Sequence, residues 1–161
     1  MGVGWSELVA ALIGAAATGV FGIYDRRTER GHRRHSLTKA ASAHARFLTN
    51  LVRSQRYQSE AQRVVDASRS PDWDEALLII DASGDYLSGI KDCASRAGEL
   101  DAEVAEMLIE FSHRAQLFLD STKSSGSFLE NATADEKRSH AEETAANIEE
   151  LLRVGEKLSQ E

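Results

Sequence analysis

Apolar positions form one long uninterrupted segment near the N-terminus, followed by several segments in which they recur with a helical repeat. Leu8 to Tyr24 runs for 17 positions without a charged residue. A helix from Trp5 through Tyr24 would be roughly 30 Å long, which matches the hydrocarbon thickness of a bilayer. Its two terminal aromatic residues would lie at the two membrane interfaces, where such side chains prefer to be. The pattern therefore predicts a transmembrane helix within residues 1–24.

Two other interpretations of this segment stay open. Gly and Ala dilute the apolar run, as they do in a buried helix of a soluble protein. A secretory signal peptide is also short and apolar, but it begins with a basic region. Here the preceding residues contain Glu7 and no Lys or Arg, so the charges are at the wrong end for a signal peptide.

After the apolar segment, residues repeating every three or four positions predict four further helices. They are expected over residues 25–70, from Ser70-Pro71 through Ala94 with an interruption at Ser83-Gly84 left open, from Asp101 to about residue 122, and from Thr133 to Ser159. Four helices with short connections favour an antiparallel bundle. We therefore predict an all-α chain with a transmembrane helix (1–24), a basic juxtamembrane segment (25–36) and a cytosolic bundle (37–161).

The apolar faces of these helices define the expected core. On the first helix the face comprises Leu37, Ala41, Phe47, Leu48, Leu51 and Val52. The third helix has the clearest amphipathic pattern, in Val104, Met107, Leu108, Phe111, Ala115, Phe118 and Leu119. The last helix is expected to turn Ala141, Ala145, Ile148, Leu152 and Leu158 inward.

Small and polar residues share one face of the predicted span. They recur at three- and four-residue steps, at Glu7, Ala11, Gly14, Thr18 and Gly22. Small residues at this spacing let transmembrane helices approach closely, so we expect a homo-oligomer. A ring of Glu7 carboxylates in such an oligomer would favour cations in a pore. The alternative is that this face only packs helices together and Glu7 reaches the outer interface.

Basic residues immediately follow the span. Within ten residues of Tyr24 lie Arg26, Arg27, Arg30, Arg33 and Arg34, whereas no basic residue precedes the span. The positive-inside rule therefore predicts a single-pass protein of the inner (plasma) membrane with its C-terminal domain in the cytoplasm.

The charge of the chain is strongly divided along its length. Residues 25–57 carry nine basic and two acidic side chains, a net charge of +7. The basic residues are Arg26, Arg27, Arg30, Arg33, Arg34, Lys39, Arg46, Arg53 and Arg56. From Gln58 onward there are ten basic and 23 acidic residues, and the whole chain has a net charge of −7. An anionic partner is thus expected for the basic residues within 25–57.

Three partners are possible for these basic residues. Arginines close to the span would contact anionic membrane lipid, at about 1 kcal/mol each. Lys39, Arg46, Arg53 and Arg56 lie farther along the helix, beyond a Debye length of about 8 Å from the surface. They would pair with acidic helices of the same bundle, or an oligomer would gather them around a nucleotide or short oligonucleotide.

The sequence offers no catalytic or metal-binding pattern. It has no phosphate-binding glycine loop, and its one cysteine, Cys93, is expected to be a small buried residue. His32 and His35 stand among arginines, which disfavours a bound cation. We therefore expect no enzymatic activity, no cofactor and no metal.

The overall plan of the chain resembles that of the small single-span membrane effectors of bacterial antiphage defence systems. The resemblance lies in the span with its Glu7-bearing face, the arginines from Arg26 to Arg34, and the helical cytosolic domain. It implies an oligomer that perturbs the inner membrane under the control of a nucleotide-type signal. The other hypothesis is a membrane-anchored adaptor whose acidic bundle docks a soluble protein.

Overall fold

The computed structural model describes the backbone of residues 5–70, 73, 84–122 and 132–161, and side chains from residue 28 onward, except those of residues 84 and 85, within these ranges. Its helices are α1 (Trp5–Ser54), α2 (Tyr57–Ala67), α3 (Ser88–Ser95), α4 (Ala102–Thr122) and α5 (Ala134–Leu158). Two short 3-10 helices, Gly84–Leu87 and Ala97–Glu99, flank α3. Within these ranges there is no strand, which confirms the all-α prediction.

The chain divides into two compact units, Met1–Ser36 and Leu37–Glu161. The second unit is a helical bundle, as the apolar repeats predict. Among the residues whose side chains are described, we find no helix with the length and apolarity that crossing a bilayer requires. The predicted span over residues 1–24 lies outside those residues.

Helix α5 runs antiparallel to the bundle part of α1. The Ser42 hydroxyl donates to the backbone carbonyl of Ser159, 3.2 Å away, just beyond the end of α5. Two turns later on α1, the Thr49 side chain lies against Gly155. As residue numbers rise along α1, those of the contacting residues on α5 fall, which shows that the two helices are antiparallel.

Helix α5 is also antiparallel to α4. His140 near the start of α5 lies beside Ser121 at the end of α4, and Asn147 lies beside Arg114 further back. The Asn147 amide is buried and donates to the Arg114 carbonyl at 3.1 Å. This bond satisfies a polar donor that would be costly to bury alone.

The core confirms most of the predicted apolar faces. Fully or nearly buried side chains come from all five helices and include Leu37, Ala41, Leu48, Val52, Ile90, Leu108, Phe111, Ala115, Phe118, Leu119, Ile148, Leu152 and Leu158. The prediction was wrong for Phe47, which is 52% exposed. Its place on the core face of α1 is taken by Ala45, which is completely buried.

A break after α1 corrects the single helix predicted over residues 25–70. The Arg56 N–H bonds to the Arg53 carbonyl, three residues back, and Arg56 then adopts a left-handed conformation with φ 57° and ψ 26°. That conformation costs a non-glycine residue roughly 1 kcal/mol or more. The break directs α2 so that Tyr57 packs on Phe118, with ring centroids 5.9 Å apart. Apolar packing of this kind offsets the backbone cost, and no Gly or Pro marks the break in the sequence.

The helix predicted to continue to Ala94 is divided. Its described part consists of the first 3-10 helix, α3 and the second 3-10 helix, while residues 71, 72 and 74–83 lie outside the described residues. Leu87 and Ile90 are buried at the expected spacing. Gly89 lies directly against the His44 ring, so α3 approaches α1 where no side chain intervenes.

The start of α5 confirms the predicted boundary at Thr133. The Thr133 hydroxyl accepts a hydrogen bond from the Glu136 N–H at 3.3 Å, and the Glu136 carboxylate accepts one from the Thr133 N–H at 2.8 Å. This reciprocal pair is a capping box. The N–H and the hydroxyl of Thr133 both donate to the Glu136 carboxylate, and these two bonds hold the pKa of Glu136 below its ordinary value.

We predict that Gly155→Ala destabilises the bundle by about 1–3 kcal/mol, the usual range for overpacking. An added Cβ would meet the Thr49 methyl group and lie 2.6 Å from Cε2 of Phe111, both in the core. The measurement is guanidinium unfolding followed by circular dichroism. Gly98→Ala is the matched control, because nothing lies within 4 Å of its added Cβ. Equal stabilities of the two variants would contradict the close packing of α5.

Candidate functional site

The face predicted to line a pore belongs to the first part of α1. Its five residues, Glu7, Ala11, Gly14, Thr18 and Gly22, are helical in their backbone, and their side chains lie outside the described residues. The same holds for the side chains of Arg26 and Arg27. The candidate site is therefore described from residue 28 onward.

Four of the predicted basic residues lie exposed on α1 ahead of, or at the start of, the bundle: Arg30, Arg33, Arg34 and Lys39. Arg33 forms an ion pair with Glu29 one turn earlier, with Nη2 and Oε1 2.6 Å apart. This pair is solvent-exposed and contributes at most about 1 kcal/mol. Exposed guanidinium and ammonium groups on a helix can approach phosphate groups from several directions. The geometry therefore suits an anionic surface or ligand.

The more distant Arg46 and Arg53 are engaged within the bundle. Nη2 of Arg46 donates to the Ser159 carbonyl at 3.0 Å, and Arg53 forms an ion pair with Glu156. Both contacts are at the C-terminal end of α5, where unpaired carbonyls give the helix a partial negative charge. The structure thus favours intramolecular pairing for these two residues, one of the alternatives that the sequence left open. Arg56 lies exposed at the break between α1 and α2.

The same chemistry occurs at two further helix ends. Nε of Arg138 donates to the Ser68 carbonyl at 2.9 Å, at the end of α2. Nε2 of His140 lies 2.9 Å from the Ser121 carbonyl oxygen, at the end of α4. A carbonyl oxygen only accepts, so this contact requires the hydrogen to be on Nε2.

Arg138 and His140 were not predicted from the sequence, although one signal was present. Both lie near the start of α5, and basic side chains close to a helix N-terminus gain from a nearby acceptor. Arg138 has one in its own helix, Asp135, with Nη1 and Oδ1 3.2 Å apart, and a second in the Ser68 carbonyl. The sequence could have indicated that these residues need an acceptor, but it could not identify the carbonyls of Ser68 and Ser121 as the acceptors.

A groove of about 260 Å³ lies between α2 and α5. It is lined by Gln58, Gln62, Val65 and Arg69 of α2 and by Glu142, Ala145, Ala146 and Glu149 of α5. Its floor is formed by Val65 and small residues, whereas its α5 rim carries two carboxylates seven residues apart. The groove can accommodate a narrow apolar surface that bears positive charge.

The remaining candidate chemistry is structural. Cys93 is buried in the core, as predicted, and its burial raises the pKa of its thiol, which disfavours the reactive thiolate. His44 packs against Gly89. In the part of the chain that the structure describes, no three His, Cys, Asp or Glu residues are grouped as metal ligands would be.

No protein-family model, curated protein or solved structure matches this chain.

We predict that Arg46→Ala lowers the free energy of unfolding by about 1 kcal/mol, since it removes a charged donor from the end of α5. Arg53→Ala should cost less, about 0.5 kcal/mol, because its ion pair is half exposed. Guanidinium unfolding by circular dichroism measures both. Lys39→Ala is the control, an exposed basic residue of the same helix. A loss of stability in Lys39→Ala equal to that in Arg46→Ala would contradict the role of Arg46.

Proposed function

We propose that this chain is a single-span inner-membrane effector that works as a homo-oligomer. In this proposal the first part of α1 crosses the membrane, and copies of it pack along the face that contains Glu7 and Gly14. The packed helices surround a pore, and the bundle controls how they assemble. The sequence carries this proposal through its uncharged segment from Leu8 to Tyr24 and the arginines that follow it.

One structural observation supports control by the bundle. Helix α1 is a single element from Trp5 to Ser54, so the helix that contains the proposed span also supplies Leu37, Ala41 and Val52 to the bundle core. In this proposal a change in how Leu37, Ala41 and Val52 pack is what alters α1. Two packing arrangements of different affinity for a ligand would suffice to couple binding to the pore.

Phosphate is the chemistry that the basic segment would recognise. In this proposal phosphate groups of either anionic lipids or a nucleotide bind to the arginines of the basic segment and to Lys39 just after it. The arginines are Arg26, Arg27, Arg30, Arg33 and Arg34. Arg46 and Arg53 are left out, because their contacts with Ser159 and Glu156 engage them in the fold. The resemblance to antiphage effectors supports a nucleotide-type signal and a role in antiviral defence.

The α2–α5 groove favours a second candidate function, a membrane-anchored adaptor. Glu142 and Glu149 on its rim would attract a basic segment of a soluble partner, and Val65 with Ala145 would receive its apolar side. Here the span only anchors the chain, so the identity of residue 7 would not matter.

We predict that Glu7→Ala changes ion flux through liposomes containing the full chain, with a loss of cation preference, because the carboxylate ring that attracts cations is removed. Glu103→Ala is the matched control, an exposed acid on α4. The measurement is the reversal potential under a salt gradient. Conductance that is absent, or unchanged by Glu7→Ala, would contradict the pore and favour the adaptor.

We predict that Arg30→Glu weakens phosphate binding by the full chain several-fold, and that added salt weakens it in the unaltered chain. Cosedimentation with vesicles of anionic or neutral lipid tests the lipid source. Absorbance at 260 nm of the purified oligomer tests a bound nucleotide. Lys91→Glu, at an exposed lysine of α3, is the control for net charge. Equal weakening by both variants would mean that the basic segment is no specific site.

A further inference from the structure

One side of α1 in the bundle carries an uncharged row of residues. Ala40, Ala43, Phe47, Asn50 and Ser54 follow one another at alternating steps of three and four, so they share one face of the helix. All are exposed except Ala40, which is partly buried. We call these five residues the outer stripe. Steps of three and four are the spacing by which helices pack together over several turns.

An aromatic pair makes this face apolar. The Phe47 ring stacks on Tyr86 of the first 3-10 helix, with centroids 6.3 Å apart and planes inclined by 26°. Phe47 is 52% exposed and Tyr86 42% exposed, so much of both rings faces solvent. Aromatic side chains are enriched where protein surfaces bind each other.

Charge restricts how copies of α1 could approach one another. Residues 25–57 have a net charge of +7, so two such helices repel over most of their surface. Arg46 and Arg53 point to α5, where Ser159 and Glu156 receive them. The outer stripe itself bears no charge, and the exposed Lys39 lies at its edge, one turn before Ala43. Close approach of a like-charged copy is therefore least opposed along the stripe.

We propose that the outer stripe is the surface by which the bundles of two copies bind each other, with their α1 helices parallel. The parallel direction rests on the proposed function, since single spans of one protein insert in one direction. The stripe is self-complementary: Phe47 provides a large side chain, and Ala43 one turn away leaves room for one. Asn50 would face the partner helix, where a buried amide specifies the register of parallel helices.

Cysteine crosslinking of the full chain in mild detergent tests the proposal. Native Cys93 is buried, so an introduced cysteine is the exposed reporter. Ala43→Cys and Asn50→Cys should each give crosslinked dimers with a short bismaleimide, whereas Ala146→Cys, an exposed alanine of α5, should not. An oligomer that crosslinks through Ala146→Cys, and through neither stripe position, would overturn the stripe and leave the proposed oligomer intact.

A second test, which does not use crosslinking, measures the native mass of the assembly formed by two further variants. Phe47→Glu should reduce the mass of the assembly, because it places a charge in the stripe. Ile109→Glu should leave the mass unchanged, since Ile109 is equally exposed, at 55%, but lies on α4. An unaltered chain with the mass of one 17.6 kDa subunit would overturn both the stripe and the proposed oligomer. An oligomer unaffected by Phe47→Glu would overturn the stripe alone.

Discussion

The bundle depends on how side-chain N–H donors meet the C-terminal ends of its helices. The last carbonyl groups of a helix have no partner within it, and together they carry a partial negative charge. Because α5 is antiparallel to α1 and α4, the end of one helix lies beside the start of the next. Arg138 reaches the end of α2, His140 the end of α4, and Arg46 the end of α5. Each contact satisfies a carbonyl and fixes how far the two helices are offset along their axes.

Each of these contacts has one partner on α5 or on the residue that follows it. Helix α5 packs closely on both α1 and α4 at Gly155, where the Thr49 methyl group and the Phe111 ring fill the space that a side chain would take. The polar exceptions in this seam include Asn147, whose amide donates to a carbonyl of α4. The outer surface of α5 retains its carboxylates, and those of Glu142 and Glu149 form the rim of the groove with α2.

The structure divides the basic residues of α1 between those that contact α5 and those that are exposed without a described contact to it. Arg46 and Arg53 bind α5, and so their charge is part of the bundle. Arg30 and Lys39 are exposed, and they are among the residues to which we assign phosphate binding. The uncharged row of α1 lies beside the face that contacts α5, and we propose that it binds a second copy. One helix therefore carries residues that contact α5, exposed basic residues and an uncharged row, and the proposed span, the anionic ligand and the bundle would all act on it.

The sequence by itself determined the helical class, the apolar faces of α4 and α5, the buried Cys93 and the boundary at Thr133, because these follow from local spacing and capping. It could not determine the break at Arg56, since a left-handed arginine is stable only where packing such as that of Tyr57 on Phe118 compensates. Helical spacing could have excluded Phe47 from the core, because Phe47 follows Ala41 by six residues, whereas the buried Ala45 and Leu48 follow it by four and seven. Only the tertiary structure decided which arginines face α5 and which face solvent, since that choice depends on residues about a hundred positions apart in the chain.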